Sequence, residues 1–179
     1  MLINLTRNLT VCLLLTVAVS GGDVKAERKN EYFSNEYHFR IIFPEGWKVM
    51  ETQFGGIQAV SREGGGKEAF VTIHKEEATK DNQRVLENNE LGDYRVSFFQ
   101  EQGLSAELLE QGMGAIGQEQ GYWAEVHVSG VFPMYEKTYV VIKGEGLYTI
   151  STMVTPDDSS WYGKNRALFE KTVRSFEID

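Results

Sequence analysis

At 179 residues and 41% hydrophobic content, the chain is long enough for one domain with its own core and short for two of ordinary size. A formal net charge of −8 argues against nucleic acid and anionic lipid surfaces as partners, because phosphate binding rests on clustered Lys and Arg. The single cysteine, Cys12, lies in an N-terminal apolar run, so the remainder has no disulfide, thiol nucleophile or Cys-ligated metal.

The N-terminal segment reads as an export signal. Arg7 supplies a positive charge, Leu9 to Val19 form an apolar run, and Val24-Lys25-Ala26 offers small residues three and one before a cut. The run is too short to span a bilayer, which takes roughly 20 apolar residues. Cleavage after Ala26 is expected, and retention of residues 1–26 as an anchor is the alternative. Cys12 has Val11 and Leu13 beside it, not the small residues that precede a lipidated cysteine. Residues 27–179 then form one exported domain, periplasmic or secreted, with no stable membrane insertion after cleavage.

Tyr37, Phe39, Ile41 and Phe43 alternate with polar or outward residues, the period of a strand with one buried face. Pro44-Glu45-Gly46 turns the chain, and Trp47-Lys48-Val49 is expected to return as the second arm of a hairpin. Ile57 to Arg62 and Ala69 to His74 predict a second hairpin. Its loop holds Gly64, Gly65 and Gly66, but the β-branched run Val71, Thr72, Ile73 follows where a phosphate loop needs a helix. Over Asp81 to Gln102 the period changes: Val85, Leu86, Leu91, Tyr94 and Phe98 recur at helical spacing, with Gly92 as a place for a break and Gly103 as the stop. Four strands follow, Leu108 to Ile116, Tyr122 to Val128, Tyr135 to Ile142 and Leu147 to Val154, at the spacings of an antiparallel meander. Asp157 and Asp158 then supply the cap and favourable dipole charge of a last helix, whose Tyr162, Phe169, Val173 and Phe176 share one face. The sum is an α+β domain of about six antiparallel strands flanked by helices.

The chemistry on offer is sparse. Gly112, Gly114 and Gly117 match the G-x-G-x-x-G spacing of a dinucleotide-binding turn, yet strands lie on both sides where a parallel β-α-β unit is required, so no cofactor is expected. Small residues at alternating positions would instead let a large side chain pack over the strand. No Ser sits in a nucleophile elbow or beside a fitting His and Asp. Of the three histidines, His74 with Glu76 and Glu77, and His127 beside Glu125, could be gathered by strand pairing into a zinc or copper site on a concave sheet face. The segment Val131-Phe132-Pro133-Met134-Tyr135 falls at a hairpin tip, where polar residues are usual, and is the expected partner-binding surface. The opposing reading folds it back into the core.

The run from Tyr37 to Val49 with its Phe43-Pro44 and Trp47, the Gly146-Leu147-Tyr148-Thr149-Ile150 strand, and the closing Phe169 to Phe176 helix ending Val173-Arg174-Ser175-Phe176 resemble the PsbP-like family. That family takes in photosystem II extrinsic proteins, Ran-binding Mog proteins and exported bacterial members such as DcrB. The resemblance covers most of residues 32–178. It implies an antiparallel sheet between helices, and an accessory or binding role toward an unidentified protein partner in place of catalysis. Its motifs are structural, so no site residue carries over. Only about ten residues separate Ala26 from the first strand, and no photosystem-binding extension is recognisable there. A small-ligand or metal-binding protein using His74 and His127 is the alternative function.

Overall fold

The computed structural model describes residues 30–52 and 56–179; the leader at 1–26 lies outside the described residues. Ten strands and three helices follow in the order β1 (Glu31–Ser34), β2 (Phe39–Ile42), β3 (Lys48–Glu51), β4 (Ile57–Glu63), β5 (Lys67–Glu77), α1 (Lys80–Glu87), α2 (Leu91–Glu101), β6 (Ser105–Ile116), β7 (Glu119–Ser129), β8 (Met134–Lys143), β9 (Gly146–Thr155), α3 (Ser159–Arg174) and β10 (Glu177–Ile178). Seven strands make an antiparallel sheet in the order β3-β4-β5-β9-β8-β7-β6, and three make a small sheet, β1-β2-β10.

Strand parity sorts the core into two layers. Ala69, Val71 and Ile73 of β5, with Val141 of β8 and Ile150 of β9, face α3 and the small sheet, where they meet Phe39, Ile41, Trp161, Phe169, Val173 and Phe176. Alternate residues point the other way, toward α1 and α2: Ala124, Val140 and Leu147 meet Leu86 and Leu91, and Val126, Val128 and Met153 meet Phe99. The long sheet is therefore buried on both faces over its central strands, which explains why β9 reads as a nearly continuous apolar or β-branched run and why even Glu136, Lys137 and Thr138 of β8 are buried.

Two expectations are corrected. The Trp47–Val49 stretch does not fold back on β2. Both edges of β2 are occupied, by β1 on one side and by β10 from the far end of the chain on the other, so β3 pairs with β4 in the large sheet. Trp47 still reaches α3, edge-on to Phe169 at 6.1 Å. The expected single long helix is two: the break comes at Asn88 to Glu90, where Asn89 takes a left-handed φ of 56°, one turn before Gly92. Gly92 serves a close approach. A Cβ there would sit 2.6 Å from the Leu108 side chain, so the missing side chain lets α2 settle on β6, and the Gly92 N–H donates to Gln111 Oε1 at 2.8 Å.

Candidate docking site at one end of the sheet

The β7–β8 hairpin turns through Gly130, at φ 112°, and its tip divides the Val131–Tyr135 segment. Val131 is 81% exposed and Phe132 44% exposed, whereas Met134 is 3% exposed and belongs to the cluster of Phe99, Val126 and Val128. Pro133 is half-buried, and its carbonyl accepts from the Thr155 hydroxyl at 3.1 Å, which ties the tip to the end of β9. Tyr135 points to the α3 face and packs at the margin of the large cluster. The partner-binding expectation thus narrows to Val131 and Phe132: Met134 is core, and Tyr135 is engaged in an aromatic stack.

That stack holds His127. Strand pairing sets His127 opposite Tyr135, and the imidazole lies on the Tyr135 ring at 4.8 Å and 25°. Tyr135 in turn stacks on Tyr162 of α3 at 5.0 Å and 23°. Nδ1 of His127 is 3.0 Å from Glu107 Oε1 and Nε2 is 2.8 Å from Asp157 Oδ2. Both ring nitrogens face carboxylates, which accept only, so the geometry suits an imidazolium donating twice. The hydrogen bond to Asp157, then that to Glu107, raises the His127 pKa above its ordinary value despite partial desolvation. Asp158, the next residue, caps α3 by accepting from the Trp161 N–H at 3.0 Å and pairs with Lys67 at 2.7 Å, drawing its carboxyl below the usual range. The end of the sheet is thus braced by charge and stacking beneath two exposed apolar side chains.

The histidine pairing that sequence permitted is not made. His74 lies on β5 and His127 on β7, with β9 and β8 between them. His74 shares the parity of Phe70 and Thr72 and faces the α1–α2 side; His127 faces α3. Period-2 alternation therefore puts the two rings on opposite faces of the sheet. Burial lowers the His74 pKa and raises that of Glu76. His38, at φ 54°, accepts at its carbonyl from the Asp179 N–H at 3.1 Å. Among the described residues no group of three or more His, Cys, Asp or Glu is arranged to hold a metal ion.

The glycine fingerprint has a packing reason. Gly112 pairs with Trp123, and a Cβ on Gly112 would come within 3.2 Å of the indole; Gly114 leaves similar room at 3.7 Å. Trp123 occupies that space, with Lys137 Nζ 3.9 Å above its ring. Gly117 makes the β6–β7 turn at φ 60°, and a Cβ there would fall 1.6 Å from the Phe176 carbonyl oxygen.

On the opposite face, α2 covers a buried ion pair. Arg95 Nη2 donates to both Glu136 oxygens at 2.7 and 2.9 Å, and Thr138 also donates to Glu136. The guanidinium lies over Phe98 and Phe99 at 4.8 and 5.0 Å, while Arg95 Nε has no hydrogen-bond partner among the described residues. Beside it is a cavity of about 30 Å³ bordered by Asn82, Leu86, Tyr94 and Thr149.

No protein-family model matches the chain, and no curated protein matches its sequence. Solved structures do. The cyanobacterial PsbP (CyanoP) of Synechocystis superposes with a TM-score of 0.62 at 15% identity, over 90% of this chain and 98% of that one. The chain has the PsbP/Mog1p fold. The Ran-binding protein Mog1p of Saccharomyces cerevisiae matches at 13% identity and TM-score 0.54, covering 84% of this chain and 95% of its own. LpqN of Mycobacterium tuberculosis, a protein involved in cell envelope biogenesis, matches at 12% identity and TM-score 0.54, over 78% and 82%. At these identities the likeness is one of fold, and the helix-flanked antiparallel sheet is what is shared. Among the described residues no helix is long and apolar enough to cross a membrane. The sheet has seven strands, with three more in the small sheet, against the six expected.

Proposed function

We propose that the chain is an exported, non-catalytic accessory module that docks on a protein partner through Val131 and Phe132. The observation that carries this reading is the pair of apolar side chains exposed at a hairpin tip, where turn residues are ordinarily polar. The tip is pre-organised. Met134 is anchored in the core on one side of it, and the Thr155–Pro133 bond with the His127–Tyr135–Tyr162 stack fixes the other. Rigid backing lowers the ordering cost of binding, and an exposed aromatic on such a base is the usual form of an interface anchor. Mog1p, which binds Ran, supports a protein as the partner class by analogy of fold alone.

The test is crosslinking and pull-down of the tagged protein from its native host, comparing wild type with Phe132→Ala and Met134→Ala. Phe132→Ala is expected to lose a specific partner with little change in urea midpoint. Met134→Ala removes a fully buried side chain and should cost about 2 to 5 kcal/mol of stability. Normal recovery of every partner by Phe132→Ala, or a loss of stability equal to that of Met134→Ala, would refute docking at the tip. Export predicts an intact mass beginning at Glu27; a membrane-retained species carrying residues 1–26 would show an anchor.

A further inference from the structure

The outer edge of β6 is a surface of a different kind from the hairpin tip. β6 is one end of the seven-stranded sheet, runs for 12 residues and has no strand beyond it among the described residues. The turn Gly117-Gln118 makes Ile116 and Glu119 the closing hydrogen-bonded pair, so Ala115, Met113 and Gln111 aim their N–H and C=O groups away from β7, toward that edge. Edge strands are normally protected by Lys, Pro or short length. β6 has no Lys, Arg or Pro. It carries one bulge, at Leu109, and exposes Leu109 at 46% and Met113 at 62%.

Strand parity gives the edge two unlike sides. Glu107 and Glu110 lie on the α3 side, opposite His127 and Glu125, and Glu110 makes no ion pair among the described residues. Gln111, Met113 and Ala115 lie on the α2 side. A second copy of this chain would bring another acidic edge alongside, and like charges across a strand pair are destabilising. We propose that β6 accepts an extended peptide as an eighth strand, one whose cationic side chains fall on the α3 side beside Glu110, Glu107 there being already held by His127, and whose alternate, apolar side chains fall beside Met113. Main-chain hydrogen bonds would hold such a strand, and the alternation would select it.

The test uses a fluorescent, end-capped peptide alternating lysine and valine, long enough to span β6, added to the full exported protein. Anisotropy should show saturable binding that weakens with salt, and amide exchange should slow at Met113 and Ala115. A glutamate–valine peptide should not bind. Met113→Pro, which removes one outward N–H while leaving the β7 ladder intact, and Glu110→Lys, on an exposed side chain, should each weaken binding by about tenfold, a difference near 1.4 kcal/mol. If Met113→Pro fails to fold, Glu110→Lys decides. Phe132→Ala should bind the peptide normally, which separates this surface from the hairpin tip. Absence of binding, equal binding of the glutamate peptide, insensitivity to Glu110→Lys, or a dimer that Met113→Pro dissociates would overturn the proposal, the last by giving the edge to a second copy.

Discussion

The buried pair beneath α2 invites a double-mutant cycle. Arg95→Met keeps most of the side-chain volume over Phe98 and Phe99 but removes the cation and both hydrogen bonds to Glu136. Glu136 is then left buried with Thr138 as its remaining hydrogen-bond partner. Breaking a buried pair from one side typically costs about 3 to 5 kcal/mol, because an uncompensated charge stays inside. Glu136→Leu strands Arg95 in the same way, and its Nε already lacks a partner among the described residues. Arg95→Met with Glu136→Leu replaces the pair by apolar volume and should lie within about 2 kcal/mol of wild type, since an apolar replacement of a buried ion pair is often near neutral. Urea unfolding of the four proteins, followed by near-ultraviolet circular dichroism, gives the coupling energy directly. A single Arg95→Met costing under about 1 kcal/mol would show that Glu136 reaches water in the folded state. Additive losses in the double variant would show that the two groups act separately. Either result refutes the reasoning.

Two further outcomes are expected. The His127 pKa is raised in the folded state by Asp157 and Glu107, so its contribution is fully present below the unfolded value of about 6.5 and is lost as pH rises through the folded value. His127→Gln should therefore be less stable than wild type in mild acid, with the gap closing toward alkaline pH; a gap independent of pH would mean that the imidazolium is not what Glu107 and Asp157 hold. Gly117→Ala adds a Cβ against the Phe176 carbonyl oxygen at a left-handed φ, whereas Gly65→Ala meets the φ penalty of about 1 to 2 kcal/mol in open space. Thermal unfolding should rank Gly117→Ala well below Gly65→Ala, and equal midpoints would show that the β6–β7 turn can move off the end of α3.

Local periodicity sufficed for much of the architecture. The alternation in β2, the strand-forming runs and turns of β4 through β9, the change to helical spacing from Asp81 and the Asp158 cap of α3 are properties of neighbouring residues, so each could be read along the chain. That the glycine triplet lies between strands is legible along the chain, although only the fold shows Trp123 filling the space above Gly112 and Gly114. What local pattern leaves open is which strand lies beside which. β1 and β10 are four and two residues long, too short to show a period, and they settle the place of β2 by occupying its two edges. The same limit applies to the sites. His74 and His127 are each plausible ligands in sequence, but the sheet assigns them to opposite faces. Glu107, His127 and Asp157 come from three separate segments, with no shared motif, and meet because β6, β7 and the start of α3 converge at one end. Residue order fixes periodicity and caps, because those depend on residues a few positions apart; partners across the sheet, the exposed edge of β6 and the division of Val131–Tyr135 into tip and core depend on chain reversals that only the tertiary structure decides.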